Sequence, residues 1–474
     1  MGGEDETVRT APEIATQAAR RFVGLIFFFG ALEGLVFGYD TGVVAGALLF
    51  IRKEMDLNPA EQGMVVGALL LGSLIAAPIS GFLSNRFGAR PMLGLAGIFF
   101  LIGSLGAALA PGPLSLIGFR FILGLAVGVG SVQVPVYLAE LSPAASRGKL
   151  TSLYQLMTAI GIFLAYAIGY LFAQTENWRA MFGVAAIPAL LLVLGVLILP
   201  ESPRWLVRSG RGDDALASLR RTRGADEAER DLAEIERHAA ATRPSLRAML
   251  ADPWVRHVLL IALALAAFQQ ALGINTIVYY APTILNAAGF GDAAAIFIGG
   301  TLQALSILST FLLGRVVDRL GRRILLLTGA LVMASSMVLL GGIFHFDALA
   351  SAFGSGTAVA CLAIFKAAFS ASWGPIVWIL LPELLPMHGR STAMGACVFT
   401  VYLANFVISS IFPVLLASGS TAAFGTFALF GLIAFIFVLR LLPETSRRTL
   451  EEIEAAGKQA RLDHPTAKRI SIRR

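Results

Sequence analysis

The chain has 474 residues, 57% of them hydrophobic and 14% charged, with a mean hydropathy of +0.76 and a net charge of +7. A soluble domain carries about 25% charged residues, so this composition excludes an ordinary globular enzyme and indicates a polytopic membrane protein. The positive excess lies mainly in short segments between apolar runs, where the positive-inside rule puts it, which removes the case for nucleic acid as a partner.

Residues 1–21 read as a cytoplasmic N-terminal segment, polar from Met1 to Ala19 with no cleavable signal, and Arg20 and Arg21 directly precede the first apolar run. That run, Phe22 to Phe50, is long enough to cross ~30 Å of hydrocarbon as a helix, yet it contains Glu33 and Asp40. A carboxylate deep in a bilayer costs at least ~2.5 kcal/mol, so Asp40 is a candidate ion-coupling group. The alternative is a structural ion pair that locks two helices. Glu33, two turns earlier on a similar face, is expected to look toward an external vestibule.

Twelve apolar spans are predicted, at about 22–50, 62–83, 92–110, 114–138, 150–172, 181–199, 256–281, 293–314, 324–346, 356–381, 391–417 and 422–441. They are too long, and not alternating, for the ~10-residue strands of a β-barrel. Arg86 and Arg90, Arg147 and Lys149, the Arg315–Arg323 group and Arg390 fall in alternate loops. The other loops hold little beyond Arg52, Lys53 and Arg179, so both termini are predicted to be cytoplasmic. Residues 22–199 form an N-terminal six-helix half and 256–441 a C-terminal one. Residues 200–255 are a charged, Ala-rich cytoplasmic linker of short helices, and 442–474 a basic cytoplasmic tail near anionic lipid. Cys361 and Cys397 both lie in apolar runs and imply neither a disulfide framework nor a metal site. No catalytic triad, metal cluster or phosphate loop is present, so an enzyme is not expected.

The chain repeats itself. Gly81–Arg90 (GFLSNRFGAR) matches Gly314–Arg323 (GRVVDRLGRR); Glu140 precedes Arg147 by seven residues, as Glu383 precedes Arg390; and Pro200-Glu201-Ser-Pro-Arg204 matches Pro443-Glu444-Thr-Ser-Arg447. The two halves are therefore parallel repeats, with a site expected near the midplane between them. The charged copies sit at the cytoplasmic ends of spans. Arg86, Glu140, Arg147, Glu201, Asp318, Arg319, Glu383, Arg390 and Glu444 are predicted to pair across and between halves as a latch that opens when the protein faces inward. Loop anchoring would explain the arginines but not the matched glutamates.

With these motifs in place, the chain resembles the sugar porter family of the major facilitator superfamily. The resemblance covers nearly the whole chain and rests on FGYDTGVVAGAL, PVYLAELSPAASRGKL, PESPRWL, QQALGINTIVYYAP, GRVVDRLGRR, GPIVWILLPELLP and PETSRR. Span 5, with YQLMTAIGIFLAY, looks closest to bacterial galactose and inositol proton symporters. The resemblance implies an all-α fold of twelve transmembrane helices in two six-helix repeats. It implies proton-coupled uptake of a monosaccharide or polyol by alternating access, in a bacterial inner membrane, with the proton as coupling ion and no other cofactor. The carrier is expected to work as a monomer. A facilitator of the same fold and, more remotely, a transporter-like sensor are the alternatives.

In the family pattern Asp40 is the protonation site and Arg120 its partner, and Arg120 is also the only basic residue inside spans 1–6. The family's sugar-binding positions fall on Gln155, Gln269, Gln270, Asn275 and Trp373, while Tyr279 and Tyr280 fall on the outer gate and Trp378 on the inner cavity. Neutral amides that donate and accept, with aromatic faces, suit a polyol. The alternative for a single intramembrane amide is interhelical glue worth ~0.6 kcal/mol. Val401-Tyr402 and Ser306 replace amides common in the family, which leaves the particular sugar open, and Gln303 is placed to compensate. Lys366, inside span 10, is expected to snorkel outward.

Overall fold

A computed structural model describes the backbone of residues 11–141, 147–239, 251–313, 321–385 and 390–442, and side chains over most of these segments. Its twelve apolar helices are spans 1 to 12: Phe22–Glu54, Pro59–Phe87, Ala89–Ala108, Pro113–Leu141, Leu153–Ala173, Trp178–Ile198, Pro253–Ala287, Asp292–Leu312, Arg322–His345, Ser355–Leu384, Thr392–Ser418 and Ser420–Leu441. Their outward faces expose Phe82, Leu114, Leu171, Leu197 and Phe311 at 62–83%. Such a belt would aggregate in water and is solvated by lipid.

Two spans are broken, and each break has a local cause. In span 7 a helix over Pro253–Ala271 stops before Gly273, whose φ of +92° suits glycine, and a second helix runs over Ile274–Ala287. In span 10 a helix over Asp347–Ser370 is followed by Trp373–Leu384, with Ser372 at φ −147° and ψ −92° between them. Pro375, just inside the second segment, cannot donate the backbone bond that would fuse the two. Broken spans leave backbone groups free to meet a ligand at membrane depth.

Close packing rests on small residues. A side chain at Gly38 would strike the Thr158 backbone of span 5, and one at Gly124 the Leu69 backbone of span 2. The repeat is visible in the backbone too. Gly88, between spans 2 and 3, has φ +98° and ψ 165°; Gly321, between spans 8 and 9, has φ +82° and ψ 152°.

Residues 203–239 form three short helices, Pro203–Arg208, Gly212–Arg220 and Ala225–Ala239, on the side of the bundle that carries Gly88. Ala215, Leu219 and Ala228 are buried among them, and Arg223 reaches the Leu141 carbonyl at 2.9 Å and pairs with Asp231. Arg221 lies 4.2 Å from the centre of the Phe22 ring, which places the start of span 1 on this linker side.

Contacts between the halves are concentrated on the opposite side. Gly63 and Gly67 of span 2 press on Ser410 of span 11. Arg52 donates to Asn286 at 2.8 Å and Lys53 pairs with Asp292 at 2.5 Å, joining span 1 to the end of span 7 and the start of span 8. The Tyr166 hydroxyl of span 5 donates to the Val278 carbonyl of span 7 at 2.6 Å.

Candidate functional site

Asp40 is carried on span 1, in the N-terminal half. It is 2% exposed, and its Oδ1 lies 3.3 Å from Nη1 of Arg120, which is itself fully buried on span 4. Arg120 is held by two further contacts: Nε donates to the Val65 carbonyl at 3.1 Å, and the guanidinium sits 5.8 Å from the Phe182 ring centre. Oδ2 of Asp40 has no hydrogen-bond partner. The pair is thus a single long contact rather than a bidentate fork, and Arg120 has a second acceptor to fall back on. Adding or removing one proton at Asp40 can make or break this link without unfolding the half.

The amides of span 7 form a chain across the two helix breaks. Asn275 Nδ2 donates to Gln270 Oε1 at 2.8 Å, Gln270 Nε2 to Gln269 Oε1 at 3.1 Å, and Gln269 Nε2 to the Gly374 carbonyl at 3.3 Å. Each amide uses one donor here and keeps the other, so the chain can rearrange to meet hydroxyls. Gln269 and Gln270 are 3% and 7% exposed, while Gln155, across the bundle on span 5, is exposed.

Tyr279 and Tyr280 are buried beyond the span 7 break, on the side away from the linker. The Tyr280 hydroxyl donates to the Ser409 carbonyl of span 11 at 3.0 Å, and its ring packs 5.1 Å from that of Phe412.

Two tryptophans of span 10 play different parts. Trp373, read from sequence as a sugar contact, is fully enclosed, and its indole N–H donates to the Leu326 carbonyl of span 9 at 2.9 Å. In this conformation it has neither a free face nor a free donor, and it braces the break in span 10. Trp378, five residues on, is 37% exposed.

Lys366 does not snorkel. It is 1% exposed, and its Nζ donates to Gln303 Oε1 of span 8 at 2.9 Å. The same bond occupies the amide that had been expected to replace the one missing at Ser306.

The linker-side charges that the structure describes act within their own halves. Glu201 Oε1 accepts the N–H groups of Ala89 at 2.9 Å, Arg90 at 3.1 Å and Ser202 at 2.8 Å, and so caps the start of span 3. Glu140 accepts the Ser202 hydroxyl. Glu383 lies 3.5 Å from Arg322, and Arg390 donates to the Leu385 carbonyl at 3.3 Å. Arg86 is exposed over the Phe87 ring. Asp318, Arg319, Glu444 and the side chain of Arg147 lie outside the described residues.

One polar cluster escaped the sequence reading. Asn405 and Ser409 of span 11 are buried; Ser409 Oγ donates to Asn405 Oδ1 at 3.0 Å and lies 3.4 Å from Thr276 Oγ1 of span 7. An Asn and a Ser one turn apart in an apolar run were the available signal.

Comparison with known proteins follows this geometry. The family model "Sugar (and other) transporter" matches residues 26–456. The chain is 41% identical over 445 residues to a D-xylose transporter of Levilactobacillus brevis, covering 91% of this chain and 95% of that one. It is 36% identical over 443 residues to an arabinose-proton symporter of Bacillus subtilis (strain 168), covering 91% and 94%. Among solved structures, the inward-open conformation of the xylose transporter XylE from E. coli superposes with a TM-score of 0.78 at 31% identity, over 91% of this chain and 99% of that one. The protein is thus a multi-pass membrane transporter and not an enzyme, and the chain belongs to the sugar porter family of the major facilitator superfamily.

Proposed function

We propose that the protein couples uptake of a monosaccharide or related polyol to a proton, by alternating access. The observation that carries this reading is the buried Asp40–Arg120 pair, held by one 3.3 Å contact with a carboxylate oxygen left over. Protonation of Asp40 removes that attraction and leaves Arg120 on the Val65 carbonyl, so spans 1 and 4 are free to shift. The amides of span 7 hold the sugar hydroxyls, Gln155 approaches from the other half, and Trp378 offers the open indole face.

In this reading the linker side is the cytoplasmic side and carries both termini. The state described faces inward, because the contacts that close the bundle lie at the other end. The amide chain suits hexoses, pentoses and cyclitols alike. A monomer contains the whole site, and the proton is the coupling ion with no other cofactor.

Reconstituted vesicles test the coupling. An inwardly directed proton gradient should drive sugar above its equilibrium level and alkalinise the medium, and Asp40→Asn should abolish accumulation while sparing exchange. Uptake that only equilibrates, with no alkalinisation at any pH, would leave a facilitator with a structural ion pair. A binding screen of hexoses, pentoses and inositols on purified protein, with Gln270→Ala as control, identifies the sugar.

A further inference from the structure

Glu33 takes no part in the chemistry so far, and its surroundings are unusual. The side chain is 5% exposed, and neither carboxylate oxygen has a hydrogen-bond partner. It does not reach an external vestibule; it lines a cavity inside the N-terminal half, between spans 1, 3, 4 and 6. The cavity offers about 40 Å³ to the centre of a water molecule, room for about three waters.

The lining is otherwise apolar, including Phe29, Phe100, Val134 and Leu192. Spans 3 and 6 contribute no titratable group to it. Span 4 brings Tyr137, whose hydroxyl is committed to the Pro200 carbonyl at 2.6 Å. Span 5 brings Tyr154, whose hydroxyl faces Glu33 without a bond of normal geometry, and span 11 brings Tyr402. Among the described residues no cation faces Glu33. An ionised carboxylate in such a place would be a buried charge with nothing to pair with, and a protonated one would not.

Position adds the second argument. Glu33 and Asp40 are seven residues apart on one unbroken helix, Ala11–Glu54. Seven residues are about 10 Å along the axis and nearly two full turns, so both carboxyls point from the same side. Glu33 is the nearer to the linker side.

We propose that the Glu33 cavity is a second proton-binding site, which passes protons between Asp40 and the water on the linker side. The role rests on the symport reading above; occupancy of the site by a proton does not. In the step, the O–H bond of Glu33 breaks toward linker-side water, which becomes hydronium. A new O–H forms on Glu33 as the one on Asp40 breaks, the proton travelling through cavity water. The electron pairs stay on the oxygens, no other reactant is needed, and Asp40 is left ionised to recapture Arg120.

The test joins a spectroscopic and a transport measurement. Infrared spectra of wild type, Glu33→Gln and Asp40→Asn in lipid vesicles at neutral pH should show a protonated-carboxyl carbonyl stretch in wild type and Asp40→Asn that Glu33→Gln removes. Proton-driven uptake by Glu33→Gln should fall by at least about tenfold, the scale of losing a proton-transfer group. Sugar exchange without a gradient should remain, and Glu33→Asp should restore part of the driven rate. Gly130→Ala, whose new methyl would collide with Glu33 Oε1, fills the site while keeping the acid, and should also slow driven uptake. A carboxyl band that survives Glu33→Gln, or driven uptake by that variant at the wild-type rate, overturns the proposal. If wild type carried no sugar at all, the symport reading would fall while the infrared result still decided whether Glu33 holds a proton.

Discussion

Replacing Arg120 by leucine isolates the energetics of the buried pair. At the 3.3 Å separation of Oδ1 and Nη1, the attraction between unit charges is about 5 kcal/mol at an effective dielectric of ~20. Removing one partner of a buried pair costs about 3–5 kcal/mol, because the other charge is left without compensation. Spread over a half of this size, that is a fall of about 6–20 °C in the unfolding midpoint. Asp40→Asn/Arg120→Leu removes both charges and should recover about half of the loss. Acidification should shrink the penalty of the single variant and leave the double variant unmoved, since only the former keeps a carboxyl that can take up a proton. Cys361 and Cys397 are free and buried, so a thiol-reactive dye added during a thermal ramp in detergent reports unfolding directly. A double variant as unstable as Arg120→Leu, or an Arg120→Leu protein within a degree of wild type, would refute the view that these two groups compensate each other.

Three further outcomes follow from the packing and the amide chain. Gln270→Ala breaks two amide hydrogen bonds, worth about 1–3 kcal/mol together, and should raise the sugar Kd by about 5- to 150-fold in equilibrium binding. An unchanged Kd would move the sugar elsewhere. Gly63→Val puts a side chain against the Ser410 backbone, so the side opposite the linker cannot close. Sugar should still bind while exchange across vesicles stops, and normal exchange would show that this contact does not need to form. Gln303→Leu leaves the Lys366 amine without its acceptor and should cost at least about 1–3 kcal/mol in the thermal ramp, whereas Lys366→Met should be neutral or stabilising. Equal losses for the two would mean that Lys366 has a second partner.

The twelve spans and the repeat were legible in the sequence because they depend on local hydropathy and on motifs recurring at a fixed spacing. The Asp40–Arg120 pair was legible for a related reason: in a half with one intramembrane cation, a buried acid has few choices of partner. What could not be read was direction. Trp373 and Trp378 lie in one apolar run, and the break at Ser372 resets the helical phase, so periodicity counted from Phe365 does not say which indole faces the interior of the half. Glu201 looked like an ion-pair partner for arginines, but it satisfies backbone N–H groups at the start of span 3, and sequence does not distinguish a cap from a salt bridge. Lys366 shows the same limit. Its charge was obvious, but the acceptor that removes the need to reach water lies 63 residues away on another helix.

The clasp of Arg52 and Lys53 on Asn286 and Asp292 has an environmental side. The Lys53 side chain is 50% exposed and that of Asp292 19% exposed, so their attraction is shared with whatever ions bathe that face. The Debye length shrinks from about 30 Å at 0.01 M salt to about 10 Å at 0.1 M. An exposed pair is worth at most about 1 kcal/mol, or roughly a fivefold shift between two conformations. Salinity on that face therefore acts as a weak thumb on the scale: brine favours the state in which the clasp is undone, and dilute medium the one in which it is fastened.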